Sequence, residues 1–251
     1  MAYGTFSEDV RGGKRRIGTF VKTAEPTVVE MLAGSGLDFI CLDGVHGPLD
    51  RWRLDACFAV ARALGFPALV RVPAARAEYI LQALDMGAAG LVIPHVDSGA
   101  KAAEMGKLSR FGDGGRGYAG STRGSDWGAG GMPGVLSRGG DPVVFVQIEE
   151  PAGVDDADAI ASAPGVDGVF LGPADLTVGY GLTEMGSDKL AAAYATVRKA
   201  VKTAGRAYAT FAPTVADAPP LEAHGVTLLF VGSELTWMVA GARAAAKAFK
   251  T

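Results

Sequence analysis

Residues 143–176, VVFVQIEEPAGVDDADAIASAPGVDGVFLGPADL, constrain the fold more than any other stretch of the chain. Two short runs rich in Val, Ile and Phe, 143–148 and 168–172, are bounded by turn formers and read as buried strands. Residues 154–163 between them are long enough for one crossover helix. A strand, a helix and a second strand form a parallel pair, so both strands end on the same side of the sheet. Glu149 follows the first strand and Asp175 lies just past the second. The pattern therefore predicts two carboxylates at one rim, one strand apart. Such a pair repels unless a cation joins it. Mg²⁺ or Mn²⁺ fits, because it takes few protein carboxylates and leaves positions open for substrate and water.

The same alternation runs along the whole chain. Strand-like runs stand at 17–21, 39–42, 68–72, 90–96, 144–148, 168–172, 207–211 and 227–231. Amphipathic segments stand at 26–33, 52–64, 76–86, 100–108, 154–163 and 188–203, with another after Pro213 and a last one at 235–249. Eight βα units in 251 residues predict an α/β fold, a single (β/α)8 TIM barrel spanning 1–251, with 1–14 a flexible N-terminal segment. A doubly wound open sheet is the alternative. The count of eight, and the lack of a GxGxxG after the first strand, argue against it. Residues 112–142 break the alternation with a glycine-dense run carrying Arg116, Arg123, Ser125, Asp126 and Trp127. A connection this long is expected to fold over an edge of the barrel or to reach a neighbouring subunit.

Bulk properties exclude several classes. The chain is 49% hydrophobic, enough for a large core, and its net charge of −3 points neither to nucleic acid nor to an anionic membrane. No apolar run reaches transmembrane length, and the opening residues lack the apolar core of a signal peptide, so a cytoplasmic protein is expected. Cys41 and Cys57 fall in apolar patterns, which predicts buried thiols rather than a disulfide.

In a barrel of this kind chemistry gathers where strands end. Those ends carry Lys22, Asp43 with His46, Arg71, His95, Gln147 with Glu149, the run Gly172-Pro173-Ala174-Asp175, Phe211, and Gly232 with Ser233. His46 follows Asp43 by three residues, close enough for the carboxylate to orient the imidazole. Arg71 stands between two valines, and a buried guanidinium needs an anion, either in a structural ion pair or in a site. Gly172 permits close backbone approach, and free N–H groups after it suit a substrate carboxylate. Asp85 lies near a helix end, where surface solvation explains it, and His224 reads as a polar loop residue.

QIEEPAG followed by GVDGVFLGPADLT resembles the signature of the HpcH/HpaI class II aldolases, metal-dependent enzymes acting on pyruvate. LDGVHGP, LVRVP, LQALDMGAAGLVIPHV and GGRGYAG follow that family's order and spacing, so the resemblance covers about residues 18–235. It implies that Glu149 and Asp175 hold Mg²⁺, Mn²⁺ or Co²⁺, with Gln147 supporting the metal's surroundings. It implies that the amides of Ala174 and Asp175 hold the pyruvate carboxylate, with Gly172, Pro173 and Phe211 also binding substrate. Arg71 would stabilise the enolate, and His46 with Asp43 would move protons through water. Asp85 would act from an adjacent subunit, the closing helix would be exchanged between subunits, and the assembly would be a hexamer, a trimer of dimers. Val45 stands where the family commonly has an acid, which removes one carboxylate from the proton network. Lys22 and His95 lie outside the family pattern, as acceptor-tuning or structural residues.

The function so implied is reversible cleavage of 4-hydroxy-2-oxo acids to pyruvate, or hydroxypyruvate, and an aldehyde. Two relatives of that chemistry, oxaloacetate decarboxylation and cleavage of a CoA ester, could use the same site. A CoA ester needs a basic groove, and only Arg116 and Arg123 offer one. A Schiff-base route needs a lysine at a strand end, where only Lys22 lies. A non-catalytic keto-acid-binding barrel would need the acids but no base.

Overall fold

The strands carry apolar side chains on both faces, which suits a parallel sheet covered on both sides. In the computed structural model, which describes residues 3–23, 25–139 and 141–250, that sheet closes on itself. The strands are β1 (Arg16–Val21), β2 (Phe39–Asp43), β3 (Ala68–Arg71), β4 (Gly90–Ile93), β5 (Val143–Ile148), β6 (Gly168–Leu171), β7 (Ala207–Ala212) and β8 (Leu228–Ser233). They pair in chain order, all parallel, and β8 closes against β1. The helices are α1 (Phe6–Arg11), α2 (Pro26–Ala33), α3 (Arg51–Ala63), α4 (Ala77–Asp85), α5 (Gly99–Leu108), α6 (Gly131–Ser137), α7 (Pro151–Asp155), α8 (Ala157–Ser162), α9 (Pro173–Gly179), α10 (Asp188–Ala204), α11 (Ala218–Ala223) and α12 (Glu234–Lys250).

Side chains on a strand alternate faces, and this splits the core in two. Inward residues Phe20, Phe39, Phe145, Phe170 and Phe230 form an aromatic interior. Their outward neighbours Val21, Ile40, Val144, Val169 and Leu229 pack under the helices. Phe230 is the hub, with ring centroids 4.9 Å from Phe39, 5.0 Å from Phe170 and 5.1 Å from Phe20. Both cysteines are buried free thiols, as expected.

Two stretches differ from the expectations, and a third takes one of the two courses expected of it. Residues 1–14 were expected to be flexible; 1 and 2 lie outside the described residues, but α1 occupies 6–11. Its Phe6 and Val10, one turn apart on one face, are buried against the interior cluster, and Phe6 lies 5.7 Å from Phe39. Apolar burial at the open bottom of the barrel orders this segment. The single helix expected at 154–163 is two, because Asp156 turns to accept the Gly99 amide at 2.7 Å and interrupts the helix there. The stretch 112–142, of which residue 140 is not described, contains α6 and packs against its own barrel. Arg116 pairs with Asp85 at 2.6 Å, Arg123 pairs with Asp55, and Arg62 reaches back to Asp126.

Among the described residues, no helix is long and apolar enough to cross a membrane. Truncating Phe230 to Ala removes the hub ring from a closed interior, which should cost about 3–5 kcal/mol. Urea unfolding should show a lower midpoint with an unchanged slope; a loss under about 1 kcal/mol would mean that the interior refills the vacancy.

Candidate active site

Near the C-terminal ends of the strands the inward positions change from aromatic to polar. Asp43, Arg71, Gln147 and Glu149 all share the inward parity of the phenylalanines below them. Together with the loops they open a cavity of about 200 Å³. Asp43, His46, Arg71 and Gln147 line it, as do Gly172, Pro173, Ala174, Asp175 and Phe211. Lys22, Gly232 and Ser233 line it too, so twelve of the strand-end residues named from the sequence converge on one mouth. A larger cavity of about 430 Å³ lies at the opposite end, beside Tyr3 and Phe6, and holds none of them.

Asp43 and Arg71 face each other in register on β2 and β3. Arg71 donates through Nε to one carboxylate oxygen at 3.0 Å and through Nη2 to the other at 2.8 Å. Its guanidinium also lies 4.5 Å above the Phe20 ring, a cation–π contact. The remaining acceptor capacity of Asp43 goes to the backbone amides of Val45 and His46, each at 3.2 Å. This corrects the expectation that Asp43 orients the imidazole. Among the described residues no hydrogen bond joins it to that ring; it holds the loop that carries His46, whose side chain is exposed at the rim. The physical reason is demand. A fully buried carboxylate facing a buried guanidinium spends its lone pairs on that partner and on the turn it begins. Burial pushes the Asp43 carboxyl up, but the Arg71 hydrogen bonds and charge outweigh it and hold the carboxyl below the usual range.

Across the mouth, β5 and β6 bring the two acids together. Gly172 follows β6, and a Cβ there would stand 2.9 Å from the Gln147 amide nitrogen and 3.0 Å from the Glu149 Cβ. Glycine is required by that close approach. Glu149 is buried; its Oε1 accepts the His95 amide at 2.7 Å and its Oε2 accepts the Gln147 side-chain amide. His95 adopts a left-handed φ of 56°, rare outside glycine, to present that amide. Its Nδ1 lies 3.0 Å from Glu150 and 3.2 Å from Glu149. Burial pushes the Glu149 carboxyl above its ordinary range; His95 draws it back, and the nearby Asp175 charge raises it again. The buried Gln147 Oε1 has no hydrogen-bond partner among the described residues. A buried acid raised by a neighbouring acid, with an orphaned oxygen beside it, is a hard oxygen-donor set that a small divalent cation would relieve. Among the described residues no group of three or more acid, His or Cys side chains is arranged to hold an ion, so one held by Glu149 and Asp175 would keep positions open.

Asp85 is not brought to this mouth within one chain. Helix α4 has nine residues and carries it roughly 13 Å back along the barrel from the strand ends, into its pair with Arg116. Two contributors were missed from the sequence. Phe20 is the platform under Arg71, and only its inward parity signals it. Glu234 is buried, with its Oε1 accepting the amides of Lys22 at 2.8 Å and Thr23 at 2.5 Å; an acid placed directly after β8 is the available signal.

Exchanging Asp43 for Asn leaves the Arg71 guanidinium buried without its charge partner and should cost about 3–5 kcal/mol. The carboxyl of Asp43 is lowered in the folded state. Its stabilisation is complete above the unfolded value near 4 and is lost as pH falls through the folded value. Urea midpoints from about pH 3 to 7 should therefore fall less steeply toward acid in Asp43→Asn than in the wild type. Parallel acid limbs would separate the pair from acid sensitivity.

Comparison with known proteins bears on this geometry. The chain is 33% identical over 250 residues to a hydroxypyruvate/pyruvate aldolase of Deinococcus radiodurans, covering 98% of this chain and 90% of that one. It is 32% identical over 234 residues to a 4-hydroxy-2-oxovalerate aldolase of Rhodococcus jostii, covering 91% and 89%. A crystal structure of an HpcH/HpaI aldolase/citrate lyase family protein from Burkholderia cenocepacia superposes with a TM-score of 0.92 at 31% identity, over 98% of this chain and 99% of the other. The family model for HpcH/HpaI aldolase/citrate lyase matches residues 16–240, and the chain belongs to that family.

Proposed function

We propose that the chain is a divalent-metal-dependent class II aldolase. It cleaves 4-hydroxy-2-oxo acids reversibly to pyruvate, or hydroxypyruvate, and an aldehyde. Membership of the aldolase family makes it a carbon–carbon lyase, and that family generally depends on a divalent metal. The observation that carries the reading is the mouth itself: Glu149 and Asp175 stand at adjacent strand ends, and Asp175 shares one small cavity with the buried Arg71. Glu149 and Asp175 would hold Mg²⁺, Mn²⁺ or Co²⁺, all suited to a two-carboxylate site. When bound, the ion supplies Lewis-acid stabilisation of charge on the donor's C2 oxygen.

The protein's own groups do the rest. The amides of Ala174 and Asp175, in the first turn of α9, receive the substrate carboxylate. His46, working through water, takes the proton of the C4 hydroxyl; the C3–C4 bond breaks, the aldehyde leaves, and its electron pair passes to the C2 oxygen as an enolate. Arg71, locked by Asp43 and Phe20, is a fixed donor aimed at that oxygen, and such preorganised donors are worth about 10²–10³ in kcat. Protonation at C3 then releases pyruvate. The orphaned Gln147 Oε1 accepts a hydrogen bond from substrate or water at the donor end.

The CoA-ester alternative loses its support, because Arg116 and Arg123 are committed to Asp85 and Asp55. The base candidate at the rim favours catalysis over simple keto-acid binding. Assembly completes the picture. Every described residue of α12 after Glu234 is exposed, including Trp237, Met238, Val239 and Phe249. An apolar helix in that state asks for a partner, and a neighbouring copy in a hexamer, a trimer of dimers, would cover it. The same packing would deliver Asp85 to another chain's mouth.

Cleavage of 4-hydroxy-2-oxo acids should stop on complete metal removal by EDTA and return with Mg²⁺, Mn²⁺ or Co²⁺; persistence without metal would sink the reading. Arg71→Ala should lower kcat by about 10²–10³. Co-assembly of Asp85→Ala with Arg71→Ala should give activity well above that of either variant alone, since some mouths then draw an intact Asp85 from the other chain. No recovery in verified mixed oligomers would place Asp85 outside the reaction.

A further inference from the structure

We propose that the cavity at the N-terminal end of the barrel is a second ligand site, which binds an α-amino acid with an apolar side chain. It stands apart from the aldolase reading, because no residue that lines the mouth lines this cavity.

The strand beginnings and the N-terminal segment enclose it. Ala88 and Ala89 lead into β4, and Asp141 and Pro142 lead into β5. From the other side Tyr3 donates its hydroxyl to the Gly87 carbonyl at 2.7 Å, and Phe6 is buried in the interior cluster. The segment around α1 is thus fastened as one wall. The volume, about 430 Å³, lies within the range of small-molecule sites.

The charges on the walls name the ligand. Arg62 and Asp126 line the cavity as a pair that neutralises itself. Arg138 and Asp141 line it unpaired. They stand at the two ends of one turn, closed by the Asp141 amide donating to the Arg138 carbonyl at 3.0 Å, so their Cα atoms lie within about 7 Å. Yet neither forms an ion pair with the other or with any described residue. Arg138 spends its Nη2 on the carbonyls of Ser125, at 3.4 Å, and Ala129, at 2.7 Å, which hold the guanidinium without cancelling its charge. The Asp141 carboxylate accepts no hydrogen bond from a described residue, and burial pushes it above its ordinary range although Arg11 and Arg138 draw it down.

A half-buried cation and a half-buried anion that do not meet leave a gap with two demands. An anion would satisfy Arg138 and repel Asp141; an amine would do the reverse. An α-amino acid carries a carboxylate and an ammonium on one carbon and answers both. The buried Ser7 hydroxyl, which has no hydrogen-bond partner among the described residues, lines the same space and can donate to that carboxylate. Phe6, Leu84, Ala88 and Ala89 offer an apolar surface for the side chain.

The test is calorimetric titration of the full chain with L-leucine, L-methionine and L-phenylalanine. At least one should bind saturably, with or without Mg²⁺, and saturating pyruvate should not displace it. Against L-leucine, 3-methylbutylamine, which lacks the carboxylate, and 4-methylpentanoate, which lacks the ammonium, should each bind about tenfold to a hundredfold more weakly. Arg138→Met should bind L-leucine no better than the wild type binds the amine. Asp141→Asn should bind it no better than the wild type binds the carboxylate. Ser7→Ala, a milder change, should weaken L-leucine several-fold and keeps the case testable if a charge variant fails to fold. Saturable binding of none of the three amino acids would overturn the proposal. So would displacement by pyruvate, one-charge analogues that bind as tightly as L-leucine, or an unchanged affinity in the folded variants.

Discussion

The two-residue period of a parallel strand governs this molecule. In a closed barrel half of every strand's side chains must enter one narrow interior, and that interior has room for aromatic and small residues but no water to solvate charge. Phe20, Phe39, Phe145, Phe170 and Phe230 fill it. The same inward parity, carried two or four residues beyond Phe20, Phe39, Leu69 and Phe145, produces Lys22, Asp43, Arg71, Gln147 and Glu149. Polar groups can occupy inward positions only where the barrel opens. The floor of the site and the core of the fold are therefore one structure, and Phe20 serves both, as core ring and as platform for Arg71.

Much of this was legible in the amino-acid sequence because it depends on periodicity. The eight strands, their order, the acids after β5 and β6 and the glycine between them follow from alternating runs and the crossover rule. Asp85 shows where that reasoning ends. Its helix position was readable, but its partner Arg116 lies in the glycine-dense stretch, where no period exists to place a side chain. The helix α1 was missed for a related reason. Six residues give too little pattern to count, and what orders them is a hydrophobic opening made by eight distant strands. The partnership of Asp43 with Arg71 rather than the His46 ring was open for the same reason, since it depends on register between β2 and β3.

The site also holds groups that do not favour the fold. Burial raises the Glu149 carboxyl, and Gln147 keeps an orphaned buried oxygen beside it. His95 sits at a left-handed φ to supply one amide. Strain of this kind persists only where the surrounding structure over-determines it, here two barrel strands and the glycine contact at Gly172. The Asp43–Arg71 pair differs. Its charges are mutually satisfied, and it fixes a donor while leaving the Arg71 face over the cavity.

These two arrangements divide the mouth. On the β5–β6 side Gln147 and Glu149 are buried, and Asp175 is exposed at the rim. On the β1–β2 side His46 is exposed and Lys22 half-buried, and α12 begins at Glu234, the residue that clamps Lys22. A helix that is exposed beyond its first residue therefore shares an anchor with the β1–β2 side of the mouth. If α12 is seated by a neighbouring copy, assembly sets the position of Glu234 and, through it, the backbone of Lys22.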